Sequence, residues 1–136
     1  MQGSDRWQVV TARLSLADRA GPDAEVVEPS LEQVLDLFAR LSRADGGDLF
    51  VSGTPGEREL MLGGGPSLYL VSCIGDRYGA YNLVGATACR DGWLTLTVGG
   101  VPSAVKAAAT VGVELVEQAI RYFFVHGGID PQLGWE

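Results

Sequence analysis

The chain is poor in the residues that most often carry chemistry. Its 136 residues include one histidine, His126, one lysine, Lys106, and two cysteines, Cys73 and Cys89. One imidazole and two scattered thiols do not make a zinc ligand set. No Asp-rich calcium loop is present. No Ser or Cys stands at a recognisable spacing from His126, which ends a helical pattern where the helix dipole favours it. It therefore reads as a helix-end residue and not as a general base. Neither cysteine has a C-x-x-C partner. Both lie in apolar, strand-like sequence and are expected as reduced, semi-buried thiols, with a disulfide across neighbouring strands as the alternative. No apolar run approaches the ~20 residues that span a bilayer. The polar start, Met1 to Asp5, has no apolar core of a secretory signal. Repeats, low-complexity tracts and composition breaks are missing too. These absences predict no metal, no cofactor, no membrane association and a cytoplasmic location.

What the chain has is acid. Seventeen Asp and Glu oppose ten Lys and Arg, giving a net charge of −7. Such a chain is repelled by nucleic acid and by anionic membranes, and attracted to basic proteins. Acidity also serves solubility, and charge alone does not separate the two uses. The length fits one domain, 1–136, large enough to build a core without disulfides or metal.

Two helices stand out. Ser30-Leu31-Glu32-Gln33 fits a capping box with Ser30 as N-cap. Leu31, Val34, Leu35, Phe38 and Leu41 then recur at helical spacing, and Gly46-Gly47 is expected to end the element. The second helix spans Val113 to His126. Its apolar positions are Val113, Val116, Ile120, Phe123 and Phe124, widened by Leu115, Ala119 and Tyr122. Glu114 and Glu117 sit in its first turn, and Gly127-Gly128 supplies the stop. The rest reads as strands: Trp7–Leu16 with Val10, Ala12, Leu14 and Leu16 on one face, then Ala24–Val27, Leu49–Ser52, Arg58–Leu62, Leu68–Ile74, Tyr78–Val84 and Trp93–Val98, with Leu133–Trp135 as a short last one. Asp91-Gly92 predicts a hairpin between the Tyr78–Val84 and Trp93–Val98 strands. Gly63-Gly64-Gly65-Pro66 reads as a hairpin turn, since a phosphate loop would carry Lys-Ser/Thr and open a helix. Short connections imply an antiparallel meander. The expected fold is therefore α+β, an antiparallel sheet of about five to seven strands with both amphipathic helices on one face.

Candidate functional residues are acids and aromatics. Glu57 and Glu59, two apart on a predicted strand, face one side. Such a pair serves acid–base work, or is the solvated face of an edge strand. Tyr69, Tyr78, Tyr81 and Trp93 lie on consecutive predicted strands, where they form a protein-binding patch or pack beneath the helices. Between Asp18 and Asp36 the chain carries Asp18, Asp23, Glu25, Glu28, Glu32 and Asp36 against one base, Arg19. Glu32 and Asp36 repel at i,i+4, an arrangement that folding does not require. The expected partner-binding set is Glu25, Glu28, Glu32, Asp36, Glu57, Glu59, Tyr78 and Tyr81; a plain solvated face is the other reading of the acids.

The run from Val113 through Phe123-Phe124 to Gly127-Gly128, followed by Pro131 and Trp135-Glu136, resembles the end of the first-numbered immunity family of the bacterial polymorphic toxins. Its members close on an amphipathic helix, a short Gly-containing turn, a Pro and a terminal Trp. The upstream order, a strand, a turn, the Val26-Val27 strand and a helix of the Leu31–Leu41 type, is similar too. Gly112 stands where many members have Pro. The resemblance implies a cytoplasmic, non-enzymatic antidote that occludes a cognate toxin of the nuclease or deaminase class, as a monomer or weak homodimer. The alternative is a small-molecule-binding protein or enzyme of a secondary-metabolite pathway on the same fold, with a cavity between helices and sheet.

Overall fold

The computed structural model describes residues 6–16, 24–44, 46–65, 67–75, 79–84, 92–98 and 101–136. In chain order the elements are β1 (Gln8–Leu16), β2 (Ala24–Val27), α1 (Leu31–Ser42), β3 (Gly47–Thr54), β4 (Arg58–Gly64), β5 (Tyr69–Gly75), β6 (Gly79–Val84), β7 (Trp93–Val98), β8 (Val101–Lys106), α2 (Val113–His126) and β9 (Gly134–Trp135). Seven strands form one sheet in the order β2-β1-β3-β4-β5-β6-β9, and β7 with β8 forms a separate hairpin. Every pairing among the described residues is antiparallel. The fold is α+β, as the periodicities require.

Local signals explain both helices. The Ser30 hydroxyl accepts from the Gln33 N–H at 3.1 Å, and the Gln33 side chain accepts from the Ser30 N–H at 2.8 Å. This satisfies two of the donors that a helix start leaves open. Val34, Leu37, Phe38 and Leu41 are the buried residues of α1. Gly46-Gly47 does not cap it: α1 ends at Ser42 with Arg43 as C-cap, and Gly47 already belongs to β3. The reason is close strand approach, since a Cβ on Gly47 would run into the Ser15 carbonyl of β1. In α2 the buried residues are Val116, Ala119, Ile120 and Phe123. Gly127, with φ 72°, takes the left-handed C-cap conformation and donates its N–H to the Phe123 carbonyl, a geometry that glycine adopts without steric cost.

The two helices close one sheet face. Its inward residues include Ala12, Leu14, Leu49, Val51, Leu60, Leu62, Tyr69, Val71, Cys73 and Leu83, in one core with the helix stripes. Phe38 and Phe123 are each 1 % exposed or less, and full burial of such a ring is worth about 2–3 kcal/mol.

Three strand expectations need correction. Val10 does not share a face with Ala12 and Leu14. A register shift between Val9 and Thr11 inserts it as an extra residue against β3, so Val9 turns inward instead. The predicted hairpin joining Tyr78–Val84 to Trp93–Val98 does not form. β6 pairs with β9 through Leu83–Trp135 and Val84–Gly134, while β7 pairs with β8. Asp91 itself lies outside the described residues. Finally, β8 was not among the predicted strands, and it contains Pro102, a residue that sheets disfavour. It is tolerated here because Ala107 N–H donates to Gly92 O, which sets the ladder phase so that position 102 faces away from β7 and loses no bond.

The β7–β8 hairpin lies over the far face of the sheet at the glycine-rich end of β4. A Cβ on Gly63 would stand 3.0 Å from Asp48 Oδ1 and 3.0 Å from Val98 Cγ1. Gly63 and Asp48 are cross-strand partners, and Asp48 is buried beneath the hairpin. Gly63 and Gly64 of the expected turn are still paired in β4; Gly64 and Gly65 have φ 112° and 102°, the Gly65 N–H donates to the Leu68 carbonyl at 2.8 Å on the way to β5, and Pro66 lies outside the described residues.

Trp7, just before β1, clamps the end of α2. Its ring meets Phe123 edge-on at 5.1 Å and 76°. Its indole N–H donates to the Phe124 carbonyl at 3.0 Å. The Arg58 guanidinium lies 5.5 Å from the Trp7 ring and donates to the Gly127 carbonyl at 2.9 Å. Trp135 donates its indole N–H to the Asp130 carbonyl at 3.0 Å and so ties β9 to the preceding turn.

Candidate partner-binding surface

The sheet face away from the helices carries the polar half of the strand alternation. Two rows cross it. One runs Val27, Thr11, Ser52, Glu59, Ile74, and the other Glu25, Arg13, Phe50, Met61, Ser72. They line two neighbouring troughs. One, of about 360 Å³, is bordered by Thr11, Ser52, Thr54, Glu57, Glu59 and Ile74. The other, of about 350 Å³, is bordered by Thr11, Arg13, Glu25, Phe50, Ser52 and Glu59. Thr11, Ser52 and Glu59 belong to both, so the troughs are continuous. The Ser52 hydroxyl donates to Glu59 Oε2 at 3.1 Å and orients that carboxylate.

Glu57 does not lie on a strand with Glu59, as its spacing suggested. It sits in the turn between β3 and β4 with φ 49°. Glu57 still borders the same trough as Glu59. Glu28 is the other described non-glycine residue with positive φ, at 52°. It bends the chain from β2 into the start of α1. Left-handed backbone costs an ordinary residue roughly 1–2 kcal/mol, and both such positions are acids of the predicted set.

Glu32 and Asp36 open on a different surface. With Ala24, Val26, Ser30, Leu37 and Arg40 they line a groove of about 480 Å³ between β2 and α1. The predicted acids thus divide around one element: Glu25 on the far side of β2, Glu32 and Asp36 on the helix side, Glu28 at its end. Tyr81 pairs with Cys73 on the helix-facing side and is half-buried. Tyr69 is fully buried under α1, 5.2 Å from the Phe38 ring, and burial pushes its hydroxyl up to about 12. Neither tyrosine is on the trough face. Tyr78 lies outside the described residues, as do Cys89, Asp18, Arg19 and Asp23. Trp93 is 65 % exposed, but on the separate hairpin, where Lys106 lies 6.0 Å from its ring.

His126 is exposed at the end of α2, its ring 4.4 Å from that of Tyr122. Among the described residues no group of three or more His, Cys, Asp or Glu could hold a metal ion, and no helix is long and apolar enough to cross a membrane.

Thr11, Arg13, Ser52 and Thr54 were not among the sequence candidates. The signal for Ser52 was there, since the apolar alternation of β3 leaves it outward and a short turn after Thr54 sets it opposite Glu59. No family model matches the chain, and no curated protein matches it.

Proposed function

We propose that this chain is a non-enzymatic immunity protein that binds a bacterial toxin of the nuclease or deaminase class and occludes its active site. The observation that carries the reading is the placement of acid. Glu25, Glu28, Glu32 and Asp36 surround one margin of the sheet, and Glu57 and Glu59 border the trough that leads away from it. Enzymes acting on nucleic acid present basic grooves to a polyanion, and a carboxylate surface competes for the same contacts. With a net charge of −7, it also speeds encounter with such a groove. The same charge opposes tight self-association, in keeping with a cytoplasmic protein that acts as a monomer or weak homodimer. A small-molecule protein on this fold would need a chamber between helices and sheet. Phe38, Tyr69, Ile120 and Phe123, each 1 % exposed or less, fill that layer.

The test is co-production with candidate nuclease or deaminase toxin domains, sought first among the genes that neighbour its own. The expected result is survival of the cells and co-elution of the two proteins. Reversing Glu28, Glu32 and Asp36 to Lys slows association at low salt and has little effect at high salt. Full toxicity in the presence of the folded protein overturns the proposal.

A further inference from the structure

The sheet margin at β2 is more than a carrier of charge. β2 pairs with β1 alone among the described strands. The Glu28 N–H donates to the Val10 carbonyl at 2.6 Å. In an antiparallel ladder bonded and non-bonded pairs alternate. Val26 and Ala24 therefore bond to β1 through their partners Ala12 and Leu14, while Glu25 and Val27, opposite Arg13 and Thr11, aim their N–H and C=O groups away from it. Glu25 and Val27 are both exposed, Val27 to 67 %, and no described strand pairs with this row of donors and acceptors.

Proteins guard such an edge against their own copies. Here the guard is acid: Glu25 and Glu28 at the strand, Glu32 and Asp36 beside it. That rejects a second copy of this chain and every other acidic strand, and admits a basic one. The groove between β2 and α1 matches. Ala24 and Val26 contribute apolar surface above the buried Leu37, and Glu32 and Asp36 border the same groove. A strand laid along β2 points alternate side chains over this groove. An arginine or lysine there rests its aliphatic stem on Ala24 and Val26 and brings its charge to the acids. The intervening side chains fall on the far face beside Glu25 and Val27, which suit one further cation and one small apolar or hydroxyl residue.

We infer that β2 is a strand-addition site that takes an extended segment of a partner protein with arginine or lysine at alternate positions. This rests on the antagonist reading above and specifies how the partner is engaged: by main-chain hydrogen bonds along the edge, with charge choosing the strand.

The probe is a short blocked peptide alternating arginine with valine or threonine, added to the isotope-labelled protein. The amides of Glu25 and Val27 are expected to shift and to gain protection from hydrogen exchange. N-methylating the bonding edge of the peptide, which leaves its charge intact, is expected to weaken binding at least about tenfold, the equivalent of one or two hydrogen bonds. Val27→Pro removes the outward donor without touching the β1 ladder and gives the same loss, whereas Val27→Thr retains binding. If Val27→Pro fails to fold, the N-methylated peptide on the unaltered protein decides. Equal binding of the two peptides, no binding of either, or shifts confined to the trough around Glu59 or to Trp93 would overturn the inference. The probe contains no toxin. Its failure removes this docking mode and leaves the antidote reading to the co-production experiment.

Discussion

Replacing Trp7 tests how the first strand is held to the last helix. The indole does three things at one point. It donates to the Phe124 carbonyl, one of the groups that a helix end leaves open. It meets the Phe123 ring edge-on at 5.1 Å, and it lies beneath the Arg58 guanidinium. A hydrogen bond of this kind is worth about 1 kcal/mol, an edge-to-face pair about 1 kcal/mol, and a partly exposed cation–π contact about 0.5–1 kcal/mol. Trp7 is half-buried, so its apolar area adds about 1–2 kcal/mol, less than for a ring in the middle of the core. Trp7→Ala is expected to destabilise by about 4 kcal/mol, which for a domain of this size lowers Tm by roughly 12–20 °C. Trp7→Phe keeps a ring against Phe123 and loses the indole donor, for a cost of about 1–2 kcal/mol. Calorimetry and denaturant titration on both variants supply the comparison. A fall in Tm of less than about 3 °C for Trp7→Ala would refute the clamp, and equal effects of the two variants would refute the division between ring and hydrogen bond.

Tyr69 titrates at about 12 in the folded protein against 10.0 ordinarily, because its hydroxyl is buried. Its stabilising share is intact below pH 10, falls as pH rises from 10 to 12, and amounts in total to about 3 kcal/mol; Tyr69→Phe is expected to flatten that part of the alkaline stability profile, read by urea unfolding at several pH values. At Glu57, with φ 49°, Glu57→Gly is expected to be at least about 1–2 kcal/mol more stable than Glu57→Val in denaturant midpoints, since left-handed backbone suits glycine and opposes a β-branched residue. Gly63→Ala places a methyl 3.0 Å from Asp48 Oδ1 and Val98 Cγ1; it is expected to destabilise by about 1–2 kcal/mol and to lower hydrogen-exchange protection in β7 and β8 while β3 to β5 keep theirs.

The elements legible in the sequence were those fixed by near neighbours. Ser30 and Gln33 are three residues apart and settle the start of α1 between them. Gly127 stops α2 by its own backbone conformation. Pairing was less legible, because it is a competition between distant segments. Nothing near Val84 says that Trp135, and not Trp93, lies beside β6. Val10 was misplaced for a related reason. The bulge that turns it outward sits where β1 leaves Trp7 and passes Gly53, whose missing side chain makes room for that indole. The site divides in the same way. The run of acids from Glu25 to Asp36 was visible as composition. That it encircles an open strand edge depends on β2 being outermost, which follows only once β1 has paired with β3. Glu57 and Glu59 border the same trough, but the turn and not the strand alternation brings Glu57 there.

The bond between Trp7 and Phe124 joins residues 117 positions apart. It has a consequence for how the protein is made. During synthesis β1 and β3 to β6 emerge in an order that lets each find its sheet neighbour, while the inner face around Leu60, Val71 and Cys73 still lacks α2. At about 5–20 residues per second this uncovered stage lasts a few seconds. A chain interrupted before Val113 therefore offers chaperones and proteases an apolar sheet face, and is not a smaller working domain.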